Sequence, residues 1–519
     1  MKRENRNKKV TFKEYNMNQL SLPMSLDDLI PEKHLVRVVN TYIERMNIDP
    51  LLEKYVGGGA SNYHPKMMLK IIVYAYTQRI YSSRNIAKAL RENIYFMWLS
   101  GGNKPDFRTI NRFRSSIMKD VIDEVFAAVI ELLIQQGFVK LENYFLDGTK
   151  IEANANKYTW IWGKSTKKNK EKLQQKIKEL LFAIDKTNDE ENKLYGNKDL
   201  EELGEDATIT AEQLEQAVKK IDERLAKEPK NKQLKKAAKK IKEDYLPRAQ
   251  KYEEQEKKLN GRNSYSKTDV DATFMRMKED HMKNGQLKPG YNVQIGTENQ
   301  FIVGYSIHQR PADTGCMIPH LKHVEKVLGK LPENIVADSG YGSEENYDYL
   351  KEHGIGNYVK YNYFHAEQKN FFKNNKFRME NLPYNEIKDE FICPWGKRLK
   401  YAYTKKTVTE NGYSTERRVY ECEDCEGCPY KSDCTKSQRN RKIQVSFRLK
   451  EFKDEAKHNL TSEEGLKLRS QRAIEVESVF GRIKHNWSFR RFMLRGLEKV
   501  KIEWGLLSIA HNLAKIALA

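Results

Sequence analysis

With 519 residues, the chain sets 93 Lys and Arg against 72 Asp and Glu, a formal net charge of +21. That length supports roughly two to four domains with cores of their own, and the positive excess points to a polyanionic partner, nucleic acid ahead of a membrane surface. No apolar run approaches the roughly 18 residues of a spanning helix, and the basic start MKRENRNKKV leads into no signal-peptide core. Membrane insertion and export are therefore not expected. Of six cysteines, five fall between Cys393 and Cys434, a clustering that suggests a metal site in a reducing cytoplasm rather than disulfides.

The first 135 residues read as a helical domain (1–135). PKMMLKIIVYAYTQRI, opened by His64-Pro65, is apolar almost all round and predicts a buried helix. Ser82-Ser83 caps RNIAKALREN, and Pro105-Asp106 precedes RTINRFRSSIMKDVIDEVFAAVIELL. Short helices carrying Arg84, Arg91, Arg108, Arg112 and Arg114 suit either a helix-turn-helix DNA-binding unit or a plain helical packing domain. The chain then changes character. Tyr144-Phe145-Leu146 predicts a short strand that turns at Asp147-Gly148, the first part of an α/β unit (136–162).

From 163 to 260 Lys, Glu, Gln and Asn dominate. Leu173, Ile177, Leu180, Leu181 and Ile184 form one helical stripe, and Leu214, Val218, Ile221 and Leu225 a second, with a polar stretch (187–208) between them. This pattern predicts an inserted antiparallel helical hairpin or coiled coil. Residues 261–369 return to α/β: GYNVQIGT and NQFIVGYSIH form a hairpin across Gly296–Asn299, a helical crossover runs from Ala312 to Lys330, and NIVADSGY and GIGNYVKYN supply further strands. A hairpin followed by strand–helix–strand is a mixed sheet, which the strand ending at Asp147 would join. The cysteine region (370–445) reads as polar and loop-rich. Two helices close the chain (446–519), the second of them, GLEKVKIEWGLLSIAHNLAKIAL, amphipathic.

Three acidic positions stand out. Asp147 and Asp338 close strands, and carboxylates at neighbouring strand ends converge on one edge of a sheet. The third lies on the helix QRAIEVESVFGRIK, whose face Ala473, Val476, Val479, Phe480 and Ile483 is flanked by Glu475 and Glu477. Periodicity leaves both in play; Gly481, four residues after Glu477, leaves space beside that carboxylate. Convergent carboxylates suit Mg²⁺, a pair of which, ~3.5–4 Å apart, activates the nucleophile and stabilises the leaving oxygen of a phosphodiester. Asp269 and Asp271 are alternatives that rank lower, as turn or capping residues.

Four stretches together resemble the Asp-Asp-Glu (DDE) transposases of bacterial insertion sequences: YHPKMMLKIIVYAYTQRIYSSRNIAKALRENIYFMWLSGGNKPDFRTINRFR, FLDGTKIEANAN, IVADSGYGSEEN and RAIEVESVFGRIKHNWSFRRFMLRG. In the last, Glu477 and Lys484 match the family's spacing of six residues between Glu and Lys. Arg472 stands one residue too far from Glu477 for a related branch's pattern and receives no role. The resemblance implies a ribonuclease-H-like catalytic core, with an N-terminal all-helical domain and helical and cysteine-rich insertions. It implies Asp147, Asp338 and Glu477 as ligands of Mg²⁺ (or Mn²⁺), and Lys484 against DNA near the reacting phosphate. It further implies double-stranded DNA (terminal inverted repeats and target) as partner, strand cleavage and transfer as activity, a homo-oligomer on DNA, and a place at the nucleoid. The alternative is a catalytically silent, transposase-derived DNA-binding protein.

Two constellations remain. Cys422, Cys425, Cys428 and Cys434, preceded by Cys393, have the spacing of a structural Zn²⁺ site, with the choice of four among the five open. After Lys484, the arginines Arg490, Arg491 and Arg495 are candidates, with Arg84 and Arg112, for phosphate contacts. Trp487, Phe489 and Phe492 among them either stack on a base or pack the last helix to the core.

Overall fold

The strand predicted to end at Asp147 does not end there. In the computed structural model, which describes residues 25–55, 62–195, 209–227, 229, 231–277, 285–409 and 411–518, β1 runs from Asn143 to Glu152. Its first half lies parallel to β7 (Asn334–Ala337), and its second half continues antiparallel to β5 (Leu287–Glu298), with Asp147 opposite Ile295. Gly148 is what lets β1 pass: a Cβ there would come within 2.2 Å of Gln294 Nε2 and 2.6 Å of Asp313 Oδ1. The glycine marks a close approach within a strand, not a turn.

After the short strands β2 (Trp160–Trp162) and β3 (Ser264–Ser266), which pair with each other, β4 (Thr273–Arg276) joins the edge of β5. β6 (Phe301–His308) and β8 (Gly356–Val359) complete the sheet, giving the order β6-β5-β1-β7-β8. β6, β5 and β1 run antiparallel; β1, β7 and β8 run parallel. The β5–β6 turn falls at Asn299 and Gln300, both at positive φ (50° and 61°), as a two-residue hairpin requires. The crossover helix is Met317–Leu328.

The C-terminal helix Leu497–Ile516 is not amphipathic in its setting. It is buried from Ile502 to Ala514, packed between β6 and the N-terminal helices Leu35–Arg45, Pro65–Thr77 and Ile122–Gln135. Several of its polar residues find partners inside, although Trp504 Nε1 and His511 Nδ1 find none among the described residues. Asn512 donates to the Ile302 carbonyl and accepts from the Ile302 amide, both at 2.8 Å, and Glu503 accepts from the amides of Met493 and Leu494. Through this helix the N-terminal helices and the sheet share one hydrophobic core. Pro65–Thr77 is buried as its composition predicts.

The insertion holds more than a hairpin. Helices Gly163–Tyr195, Ala211–Lys227, Lys232–Lys240 and Leu246–Leu259 surround a separate core of Leu173, Ile177, Leu214, Val218, Ile221, Ile241 and Tyr245. Both expected stripes lie in it. Residues 196–208 of the polar stretch fall outside the described residues. The cysteine region, expected to be loops, forms an antiparallel sheet of β9 (Tyr384–Asn385), β10 (Glu390–Ile392), β11 (Arg398–Val408), β12 (Ser414–Cys422) and β13 (Lys442–Val445), with its own small core. No helix among the described residues is long and apolar enough to cross a membrane.

Candidate active site

Because β1 and β7 are adjacent and parallel, Asp147 and Asp338 each lie one residue beyond the last paired position, Leu146–Ala337. Register alone therefore brings the two carboxylates together. Arg472, near the end of Glu463–Arg472, bridges them: its Nη2 lies 3.1 Å from Asp147 Oδ2 and 3.4 Å from Asp338 Oδ2. Burial is the largest influence on Asp147. With help from the neighbouring Asp338 and Asp313, and against the opposing pull of Arg472, it pushes the Asp147 carboxyl up to about 6. Asp338 caps the turn Ser339–Tyr341, accepting from the Gly340 amide at 2.9 Å.

Asp313, just before the crossover helix, is a third acid at this edge. Its Oδ1 accepts from Asn292 Nδ2 (2.7 Å) and Gln294 Nε2 (2.9 Å), both buried on β5, while the buried Tyr341 hydroxyl donates to Gln294 Oε1. Thr314 Oγ1 donates to the Gly340 carbonyl at 2.7 Å, tying this loop to the Asp338 turn. Sequence reasoning missed Asp313, Asn292, Gln294 and Tyr341, and gave Arg472 no role. Asp313 could have been noticed as an acid at the start of the predicted crossover; the others carry no local signal.

The structure separates the two glutamates left open by periodicity. Glu475 reaches the β5–β6 turn and accepts from the Gln300 amide at 2.6 Å, and burial raises its pKa. Glu477 is exposed and makes no hydrogen bond or ion pair among the described residues. A π-helical turn covers Ala473–Glu477. Its backbone bonds close over five residues instead of four, which brings Arg472 and Glu477, five apart, onto nearly the same side of the helix. Among the described residues no three His, Cys, Asp or Glu side chains are grouped closely enough to hold a metal ion.

Several candidates are occupied elsewhere. Asp269 accepts the Tyr291 hydroxyl at 2.9 Å, and Asp271 accepts from the Leu497 amide at 2.9 Å at the head of the last helix, so both do capping and core work. Lys484 is buried, at 6 % exposure. Arg490 donates to the Lys484 carbonyl, Arg491 to those of Ala153 and Ala155, and Arg495 to that of Asn154. Arg491 and Arg495 clasp the residues that follow β1, where Glu152 bridges Arg491. Trp487, Phe489 and Phe492 pack in the core beside Trp504 and Tyr81. Arg114 is buried against Tyr76, Tyr81 and Ser83, whereas Arg84 and Arg112 are exposed.

The cysteines do not assemble into a zinc site. Cys422 and Cys425 are buried in the core of the small sheet with Cys393 against it, and Cys434 accepts from Arg441 Nη1 at 3.0 Å. Cys428 sits in the turn before Lys431–Cys434. The expected Zn²⁺ thus finds no support in the arrangement of Cys393, Cys422, Cys425, Cys428 and Cys434.

Two stretches of the chain are similar to known families. A model of a transposase DDE domain matches residues 392–517, and a model of a transposase domain (DUF772) matches 24–116. Together these matches indicate a DDE transposase of the insertion-sequence kind. The first covers Arg472, Glu477 and Lys484; the second covers Arg84 and Arg112; Asp147 and Asp338 lie between the two. No protein of curated function matches the chain.

Proposed function

We propose that this transposase binds the ends of a mobile element and performs hydrolysis and strand transfer at phosphodiester bonds through Asp147, Asp338 and Glu477. The observation that carries the reading is the meeting of Asp147 and Asp338 on adjacent parallel strands, with Arg472 of the Glu477 helix between them. Three antiparallel strands leading into two parallel ones suit a ribonuclease-H-like core. The donor chemistry suits Mg²⁺ or Mn²⁺: hard carboxylate oxygens at the ends of two adjacent strands, one of them pushed up to about 6 by burial and like-charged neighbours. Asp147 and Asp338, with Glu477 from the same side as Arg472, would hold the ions, which when bound activate a water or 3′-hydroxyl and stabilise the leaving oxygen.

The chain's own residues supply the rest. Asn292, Gln294 and Tyr341 fix Asp313 beside the pair, and Arg472 offsets the charge of the two aspartates. Arg84 and Arg112, exposed on the N-terminal helices, suit phosphate contacts to element ends. A silent DNA-binding descendant is the second reading, favoured by the lack of any contact between Glu477 and the two aspartates. The test is incubation of DNA carrying the gene's own flanks with Mg²⁺, using wild type and Asp338→Asn. Nicks at the element ends that disappear in the variant support the enzyme; binding without cutting by either protein supports the silent descendant.

A further inference from the structure

β11 and β12 form a ribbon that outruns its sheet. β10 pairs only with Arg398–Lys400 and β13 only with Arg418–Glu421, so beyond these residues the two strands pair with each other alone among the described residues. In this free part the register sets Lys405 directly across from Arg417. Both are exposed, and neither makes an ion pair or hydrogen bond among the described residues. Like charges at directly opposed positions destabilise a ribbon, and the neighbouring pairs avoid this: Lys406 faces Glu416 at 2.7 Å, and Thr407 faces Thr415. Tyr401 and Tyr403 lie half-exposed on the same ribbon, at 47 % and 49 %. A local conflict of this kind, between two exposed cations on a two-stranded ribbon, is one that a bound anion would relieve.

The arm is also braced beside the carboxylates. At its tip Asn411 Oδ1 accepts from Arg310 Nη1 at 2.8 Å, and the Tyr413 hydroxyl donates to Asp348 at 2.9 Å. Arg310 belongs to the loop that carries Asp313 and Thr314, and Thr314 bonds to the Asp338 turn. We infer that the β11–β12 ribbon is a DNA-binding arm in which Lys405 and Arg417 together hold the phosphate backbone of duplex bound at the active site. The inference rests on the proposed function only for the identity of the anion as DNA.

The test is the salt dependence of binding to a 40-base-pair duplex by the full-length chain. Wild type is compared with Lys405→Thr/Arg417→Thr, which copies the Thr407–Thr415 pair, and with Lys326→Gln/Lys330→Gln, which removes the same charge elsewhere. Each phosphate contact contributes roughly 0.9 to the slope of log affinity against log salt. The Thr/Thr protein is expected to lose about 2 from that slope while its thermal stability holds or rises, because the like-charge pair is gone. An unchanged slope, an equal fall in the Lys326/Lys330 control, or no binding by wild type overturns the inference. End cleavage measured on the same proteins reports separately on the carboxylates, since Asp338→Asn should lose cutting and keep the wild-type slope.

Discussion

Asp147→Asn should stabilise the strand that it disarms. In the folded chain the carboxyl is pushed from 3.8 to about 6. A group whose folded pKa is raised disfavours the folded state once it ionises: the penalty is absent below the unfolded value and complete above the folded one. A shift of about two units corresponds to roughly 3 kcal/mol, or about a hundredfold in local opening. Asparagine keeps the shape of the side chain and cannot ionise, so its advantage should grow between about pH 4 and pH 7 and then level off. Hydrogen exchange of the peptide spanning Asn143–Glu152, measured without divalent cations, reads this directly. Taking the ratio of variant to wild type at each pH cancels the intrinsic exchange rate, and a local readout avoids assuming two-state unfolding of a multi-core chain. A protection ratio that stays flat or falls across this range would falsify the account of Asp147 as a strained carboxylate awaiting a cation.

Glu475→Gln and Glu477→Gln should part company. The first weakens the charge-assisted bond to the Gln300 amide but also removes the cost of ionising a carboxyl that burial has raised, so the two effects oppose and thermal stability should change by less than about 1 kcal/mol with cleavage retained; the second should leave stability alone and abolish cleavage. Equal behaviour in both assays would remove the distinction drawn between them. Gly296→Ala places a Cβ 1.6 Å from Tyr144 Cζ, in a ring buried and bonded to His320, so a loss toward the upper end of about 1–3 kcal/mol or failure to fold is expected. A soluble variant of wild-type melting temperature would contradict this packing. Asn512→Ala leaves both the amide and carbonyl of Ile302 without their partner, at about 1–3 kcal/mol for each group; calorimetry on the purified chain checks it, and a change below 0.5 kcal/mol would show that the two groups find other partners.

The sequence by itself determined most of what is local. Alternation in GYNVQIGT and NQFIVGYSIH, the apolar run after Pro65 and the two leucine stripes of the insertion each encode an element through side-chain period, and each is present where that period placed it. Asp338 was legible because its strand does end beside it. What the sequence could not decide was set by contacts between distant segments. Gly148 reads as a turn until the Gln294 and Asp313 side chains are packed against it, and the last helix reads as amphipathic until β6 and the N-terminal helices cover its polar side. Glu475 and Glu477 lie one on each side of the apolar face, each about 100° from Val476, so the wheel does not choose between them, and a π turn, invisible to a 3.6-residue period, changes which face each one joins. Arg472 acquires its partners only when β1 and β7 are paired across 191 residues of chain (338 − 147). Periodicity records which face of an element is apolar; which charges meet is fixed by register and tertiary packing.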